Sequence, residues 1–401
     1  MKCELLAPAG NFSKLKTALY FGADAVYIGG KDFSLRSFAD NFTRDEISEA
    51  VKYAHSRGKK VYVTVNIFAK NSDSELLEDY FAFLQSTGVD AAIISDAGVF
   101  YACRKSAPNL AIHISTQANL TNKYAVKFWA EQGASRAILA RELSIKEIEE
   151  IHSFVPEIEL EAFVHGAMCI SYSGRCLLSN YLAGRESNRG ECVQACRWKY
   201  QIRKKDELSD SGWLDIEEDS RGVYILNSKD LNMSARLTEL ERAGVCSFKI
   251  EGRMKSEYYL ATVINAYRRR MNGESAEVCS RELTTAAHRD YTEAYASGEN
   301  GKTVNYSDSQ AKGDCDYIGN VLGFKDGFVT VEMRSRFKTG DVLEVLSPKA
   351  DFGKSFKVEK AFTSLGEEVN DCKLVQENYK INCPFELSTG DILRRRKPQG
   401  D

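Results

Sequence analysis

The chain has 401 residues, 43% of them hydrophobic and 28% charged, and a formal net charge of −3. That length exceeds one ordinary domain and calls for two. The slightly acidic balance excludes a globally basic nucleic-acid coat, so contact with RNA has to rest on a local patch; no run approaches the ~20 apolar residues of a membrane span.

Residues 2–7, KCELLA, form a short apolar run that ends at Pro8-Ala9-Gly10-Asn11, and Ser13-Lys14-Leu15 opens a helical pattern. No targeting preface stands before this strand, which is the expectation for a cytoplasmic protein. The same beat of strand, loop and helix recurs at ADAVYIGG (23–30), KKVYVTVN (59–66), DAAIISD (90–96), AIHISTQ (111–117), SRAILARE (135–142) and IELEAFVHG (158–166). Helical stretches at 44–56, 75–86 and 144–153 lie between them. Strands alternating with helices imply parallel pairing with right-handed crossovers. Two more candidate strands follow, VYILNSKD (223–230) and CSFKIEGR (246–253). An α/β, TIM-like (β/α)8 barrel needs eight, so one is surplus, and CSFKIEGR, preceded by a helix-like stretch, is the better eighth strand. A doubly wound open sheet is the alternative reading.

Beyond the barrel, a helical stretch at 256–272 carries Arg268-Arg269-Arg270, and 276–305 reads as a polar connection. From 306 to 401 the pattern changes to period-two alternation with glycine turns (YIGNVLGFKDGFVTVEM, TGDVLEVLSP, TGDILRRR). That indicates a small antiparallel β-barrel or sandwich domain. The expected organisation is therefore a barrel at 1–275 with an insertion at about 166–222, the connection, and the C-terminal β domain. Arg268–270, the run Arg394-Arg395-Arg396-Lys397 and Arg334-x-Arg336-Phe337-Lys338 are candidate phosphate contacts, with Phe337 available to stack on a base; solvated charge is the plainer reading of each.

The insertion holds the densest chemistry. Cys169, Cys176, Cys192 and Cys196, four of eleven cysteines, fall in one loop-rich run. Four thiolates suit tetrahedral sulfur ligation of Zn²⁺ or an iron–sulfur cluster. Only Cys192 and Cys196 have knuckle-like spacing, and an iron–sulfur cluster tolerates the wider gap between Cys169 and Cys176. Ordinary buried thiols are the alternative.

The string Glu161-x-Phe163-x-x-Gly166-Ala167-Met168-Cys169-x-x-x-x-Gly174-x-Cys176-x-Leu178-Ser179 resembles the signature of the collagenase-like peptidase family, family thirty-two among peptidases of unknown mechanism. LLAPAG, ADAVYIGG, HISTQ, ARELS and KIEGR extend the resemblance over most of the chain. Its form is similar to the branch that hydroxylates tRNA. This resemblance implies oxygen-independent formation of 5-hydroxyuridine at the wobble uridine, an iron–sulfur cluster (4Fe-4S) on Cys169, Cys176, Cys192 and Cys196, and prephenate as the source of oxygen. It also implies tRNA and a small dicarboxylate as partners, with an electron donor or a homologous partner subunit. Related branches act on ribosomal RNA or a quinone ring. The family's name implies a peptidase instead, but there is no G-x-S-x-G or H-E-x-x-H, and the five histidines lack zinc-protease spacing. A scaffold that only binds RNA is the third class, and it would tolerate loss of the cysteines.

In such barrels the working residues lie at the C-terminal strand ends. Those ends carry Gly29, Gly30, Asn66, Asp96, Thr116, Gln117, Arg141, Glu142, His165, Glu251 and Arg253. The candidate catalytic set is His165, Glu161, Arg141 and Gln117. The candidate substrate-binding set is Arg36, Asn66, Arg253, Gly29 and Gly30, the arginines for bidentate carboxylate binding and the glycines for close backbone approach.

Overall fold

Residues 2–35, 40–198, 228–298, 303 and 311–398 are described by the structure, a computed structural model. Seven strands come first in chain order: β1 (Glu4–Ala9), β2 (Ala25–Gly29), β3 (Lys60–Val65), β4 (Ala91–Ile94), β5 (Ala111–Ile114), β6 (Arg136–Ile138) and β7 (Glu159–Ala167). Each pairs in parallel with the next. A short β8 (Asp230–Asn232) follows, then β9 (Val245–Ile250). β9 pairs in parallel with both β7 and β1, which closes an eight-stranded barrel and leaves no open edge for a doubly wound sheet. The eighth strand is thus the CSFKIEGR segment. VYILNSKD falls partly outside the described residues; its end enters β8, which runs antiparallel to the end of β7 and lies outside the ring. β10 (Tyr291–Thr292) pairs with β8.

Strands β2 and β4 are buried at every position because the barrel covers one face and helices the other. The connecting helices begin with α1 (Phe12–Tyr20), α2 (Arg44–His55), α3 (Ser74–Thr87) and α4 (Ala97–Ser106), followed by α5 (Lys123–Glu131) and α6 (Ile145–Phe154). Local chemistry starts several of them: Thr43 with Glu46 and Ser144 with Glu147 form reciprocal capping boxes on α2 and α6. Asp96 accepts from Gly98 N and Val99 N as the N-cap of α4, which accounts for an acid at that strand end without a ligand. After α7 (Leu178–Ala183) and α8 (Leu237–Arg242) come α9 (Glu257–Met271) and α10 (Ala276–Leu283). No helix among the described residues is long and apolar enough to cross a membrane.

The chain falls into two compact units that are not contiguous blocks. The first comprises Met1–Leu15, Asp24–Met254 and His288–Ala311; the second comprises Lys16–Ala23, Lys255–Ala287 and Lys312–Asp401. The contiguous scheme of 1–275, 276–305 and 306–401 thus differs in assigning α9 to the barrel. Within the second unit an eight-stranded antiparallel sheet is built from β11 (Cys315–Lys325), β12 (Phe328–Met333), β14 (Val342–Leu346), β15 (Ser355–Lys357), β16 (Ala361–Phe362), β17 (Glu368–Val369), β19 (Asn378–Asn382) and β20 (Ile392–Arg396). A separate pair, β13 (Phe337–Lys338) and β18 (Asp371–Cys372), adjoins its core.

The three basic groups are engaged inside this unit rather than held out for phosphates. Arg394 is fully buried: its Nε lies 3.0 Å from Glu344 Oε1 and Nη2 2.9 Å from Glu282 Oε2, while Nη1 donates to Thr285 Oγ1. Arg395 pairs with Asp341 and Asp316, and Arg396 with Glu344. Arg336 pairs with Asp371, Arg334 with Glu332 and Arg269 with Glu274. Phe337 is fully buried in the β core and unavailable for stacking. A buried guanidinium needs compensating carboxylates, and alternation along β20 turns Arg394 inward. Replacing Arg394 by Met alone removes the ion-pair partner of the buried Glu282 and leaves Glu344 held by Arg396 alone, and is expected to cost about 3–5 kcal/mol. A triple variant Arg394→Met/Glu282→Gln/Glu344→Gln should recover much of that loss. Urea midpoints of the two variants check both statements.

Candidate active site

Alternation along the strands sends every second side chain into the barrel. At the C-terminal end they meet in a cavity of about 100 Å³. Its polar lining comes from Asn66 after β3, Gln117 after β5, Arg141 after β6, Lys249 on β9, and Glu251 and Arg253 just beyond it. Cys169 and Ser173 of the segment after β7 complete the wall.

Beneath the cavity the barrel holds a buried charge network. Lys249 Nζ lies 2.7 Å from Glu161 Oε1 and sits over the rings of Tyr27 and Phe163 at 4.5 and 5.3 Å. Arg136 bridges Glu161 Oε2 at 3.1 Å and Glu4 Oε1 at 2.7 Å. Tyr62 OH donates to Glu4 Oε2 at 2.6 Å, and Ser247 Oγ donates to Glu4 Oε1 at 2.8 Å. Such charges stay ionised in a low-dielectric interior only when paired and hydrogen-bonded. Burial pulls the Lys249 ammonium below its usual range, and Glu161 opposes that pull. His113 packs edge-on to Tyr62 at 4.7 Å; burial, followed by Arg136, Lys249 and Lys60, holds its imidazole neutral, well below 6.5.

The cavity brings Gln117, Arg141, Asn66 and Arg253 together, as well as Cys169. Arg141 donates to Ala167 O at 2.6 Å and lies 4.0 Å over Phe163, with its Nε buried and unpartnered. Asn66 Oδ1 accepts from Leu35 N. Arg253 donates to Ser34 Oγ at 2.9 Å and Thr64 Oγ1 at 3.1 Å. Gly29 and Gly30 serve these neighbours: a Cβ on Gly29 would stand 2.1 Å from Arg253 Nη1, and one on Gly30 2.1 Å from Tyr80 OH. Their backbone is closely approached by these two side chains. Glu161 is wholly buried below the cavity, and His165, 1% exposed, lies beside Tyr291 and outside the cavity lining. Glu142 is half-buried, and its carboxyl is pushed up by that burial. Arg36 lies outside the described residues.

Lys249, Tyr27 and Phe163 are missing from a reading confined to strand ends. The signal was present in KIEGR, where Lys249, Glu251 and Arg253 alternate at period two.

The cysteine segment folds back over this mouth. A Cβ on Gly174, at φ +74°, would lie 2.3 Å from Gln117 O, so the chain passes directly against the β5 loop. Arg189 donates to Phe68 O at 2.6 Å and pairs with Asp73 at 2.9 Å, and Lys70 pairs with Glu186 at 2.8 Å. Ser187 Oγ donates to Cys176 O, and Ser179 Oγ lies 3.8 Å from Cys192 Sγ. All four thiols are free; Cys169 is exposed and the other three half-buried. Burial pushes the Cys196 thiol up, Arg197 pulls it down, and Cys169, Cys192 and Cys176 each push it further up. Among the described residues, no group of three or more His, Cys, Asp or Glu is arranged to hold a metal ion. The remaining seven cysteines lie elsewhere, six of them buried.

Comparison with known proteins gives two family matches: peptidase family U32 over residues 10–306 and the peptidase family U32 C-terminal domain over 313–394. The tRNA hydroxylation protein P1 of Bacillus subtilis (strain 168) is 40% identical over 99% of this chain and 95% of its own. The tRNA hydroxylation protein P of Escherichia coli (strain K12) is 36% identical over 91% and 90%. The 23S rRNA 5-hydroxycytidine C2501 synthase of Escherichia coli (strain K12) is 37% identical over 68% of this chain and 39% of its own.

Two outcomes follow from this geometry. The unfolded chain takes up a proton at His113 near pH 6.5, and the native state does not. The unfolded state then binds more protons, so stability falls as pH drops below 6.5, by up to about 1.4 kcal/mol per pH unit. His113→Gln should flatten that part of a plot of urea midpoint against pH. Gly174→Ala should cost about 1–3 kcal/mol locally and expose the cysteine segment to limited proteolysis while the barrel's own transition stays in place.

Proposed function

The chain belongs to peptidase family U32, and from that membership and the gathered thiols we propose that it is an RNA-modifying enzyme that hydroxylates tRNA. The observation that carries the reading is the folding of one four-cysteine segment over the mouth of a barrel whose cavity presents Arg141, Lys249 and Arg253. The relatives' names supply the substrate class, and the finer reading is oxygen-independent formation of 5-hydroxyuridine at the wobble position. tRNA in the cytoplasm is the expected partner.

Cys169, Cys176, Cys192 and Cys196 are the residues that would hold an iron–sulfur cluster, and the chemistry of the donor set fits: four free thiols on one loop-rich segment that mixes small, polar and apolar residues. In a cluster each thiolate binds its own iron, so the sulfurs need not close on one point as they do around Zn²⁺. When bound, such a cluster supplies redox or Lewis-acid chemistry that side chains lack.

The chain's own groups do the positioning. Arg141 and Arg253 present guanidinium donors that suit a carboxylate, and the enclosed space fits the carboxylate end of a co-substrate such as prephenate. Lys249 adds positive charge from the cavity floor, where Glu161 fixes its Nζ. The Gly174 contact keeps the cysteine segment seated and limits water at the mouth. Replacing a base C–H by C–O is a two-electron oxidation, so the scheme needs a two-electron acceptor: the hydroxyl donor itself, which is reduced as it gives up its oxygen, or, where water supplies the oxygen, an electron-carrying partner.

Anaerobic purification with iron and sulfide analysis, on wild type and a Cys169→Ala/Cys176→Ala variant, tests the cluster. Iron, sulfide and a broad visible band in the wild type, lost in the variant, are expected. Nucleoside mass spectrometry of tRNA from a deletion strain should show loss of the hydroxylated uridine. A folded, iron-free protein together with unchanged tRNA would overturn the reading and return the peptidase hypothesis to first place.

A further inference from the structure

The cysteine segment carries more than thiols. Residues 168–198 contain four arginines (Arg175, Arg185, Arg189, Arg197) against two glutamates (Glu186, Glu191), a positive excess on a chain whose net charge is −3. With Cys192 and Val193 in its wall, this segment forms a groove of about 500 Å³ that is also lined by Arg185, Gln194, Arg197, Trp198 and Met254. That lies within the ~300–1,000 Å³ range of ligand sites. Trp198 is 44% exposed and Met254 47%, so two large apolar side chains flank the groove at the surface.

The backbone here is built rather than slack. Gln194 is held at φ +57°, a left-handed conformation that non-glycine residues seldom adopt. It starts the single turn Ala195–Arg197 whose Ala195 is buried, and its own Oε1 accepts from Arg197 Nη1 at 2.6 Å. The turn places Arg197 and Trp198 as successive residues in the wall of one groove, with Arg185 also in that wall. Strain of this kind persists where the surroundings over-determine it, commonly at binding sites. Met254 follows Arg253 in the chain, so the groove and the cavity of the barrel mouth are lined by consecutive residues.

An indole face beside two guanidinium groups is the chemistry that holds a single-stranded nucleotide: the ring stacks on a base and the cations meet the flanking phosphates. We propose that this groove binds one unpaired nucleotide of the RNA, with its base on Trp198 and its phosphates against Arg185 and Arg197. The inference rests on the RNA-hydroxylase reading and adds where and in what state the RNA is held. A base can be reacted on only when it is out of its stack, and Trp198 provides a surface for an unstacked base at the edge of the thiol segment. A duplex, whose bases expose no faces, does not fit.

The test is fluorescence anisotropy of a labelled single-stranded oligouridylate on the anaerobically purified full chain, titrated with salt, with duplex RNA as competitor. Trp198→Ala should weaken binding about ten-fold, as loss of one stacked base does, with an unchanged salt slope; Trp198→Phe should recover part of it. Arg185→Gln and Arg197→Gln should each lower the slope of log affinity against log salt by about 0.7. Iron content and the thermal transition of each variant identify any that has lost its loop rather than its ligand. Trp198→Ala with wild-type affinity, or duplex RNA competing as well as single strands, would overturn the groove while leaving tRNA hydroxylation standing. Unchanged tRNA in the deletion strain would instead remove the underlying reading, whatever the oligonucleotide does.

Discussion

The first unit depends on a buried charge pair. Glu161 and Lys249 come from β7 and β9, the strands whose pairing closes the barrel, and they meet at 2.7 Å at zero and 4% exposure. Arg136 and Glu4 extend the pair to β6 and β1. Four strands are thereby tied through their interior faces at the place where the ring could otherwise open. An apolar core would close a barrel at less desolvation cost. The ionic one has another property: it fixes a cation on the cavity floor at a set height and orientation.

From that floor the rest of the site can be followed upward. Lys249 lies under Phe163, and Arg141 lies over the same ring while holding Ala167 O. Ala167 ends β7, and the cysteine segment starts two residues later. The segment then returns to the β5 loop at Gly174 and to the β3 loop at Arg189. A loop with little core of its own is thus located by contacts from the loops after β3, β5 and β6. This explains how a run poor in apolar periodicity can still be held at the barrel mouth.

The barrel was legible because its strands are continuous apolar runs separated by capping chemistry, and the four-cysteine segment drew notice because its spacing breaks every packing period. Strand eight was found by the helix before it. Glycines 29 and 30 were legible as sites of close approach, but sequence could not say that Arg253 and Tyr80, from distant elements, would be what approaches. Arg394 read as one of a solvent-facing basic run; only the register of β20 against β11 and β14 turns it inward to Glu282 and Glu344. Glu161 and His165 read as mouth residues because the signature places them near Cys169, yet each is buried away from the cavity. Local spacing reveals which residues are near in sequence, and strand alternation decides which of them share a face.

The eleven cysteines also differ sharply in accessibility. Burial pushes Cys3 and Cys103 up to about 12, Cys279 to about 11 and Cys372 to about 12, and the half-buried Cys246 to about 11. Thiols so protonated and so enclosed are poor nucleophiles. The exposed Cys169 stands apart from that silent background, whereas burial pushes Cys196 up as well. The fold therefore behaves as a selective thiol trap, in which an electrophile entering from solvent meets Cys169 before it meets any other cysteine, and the occupancy of that position becomes visible as chemical protection.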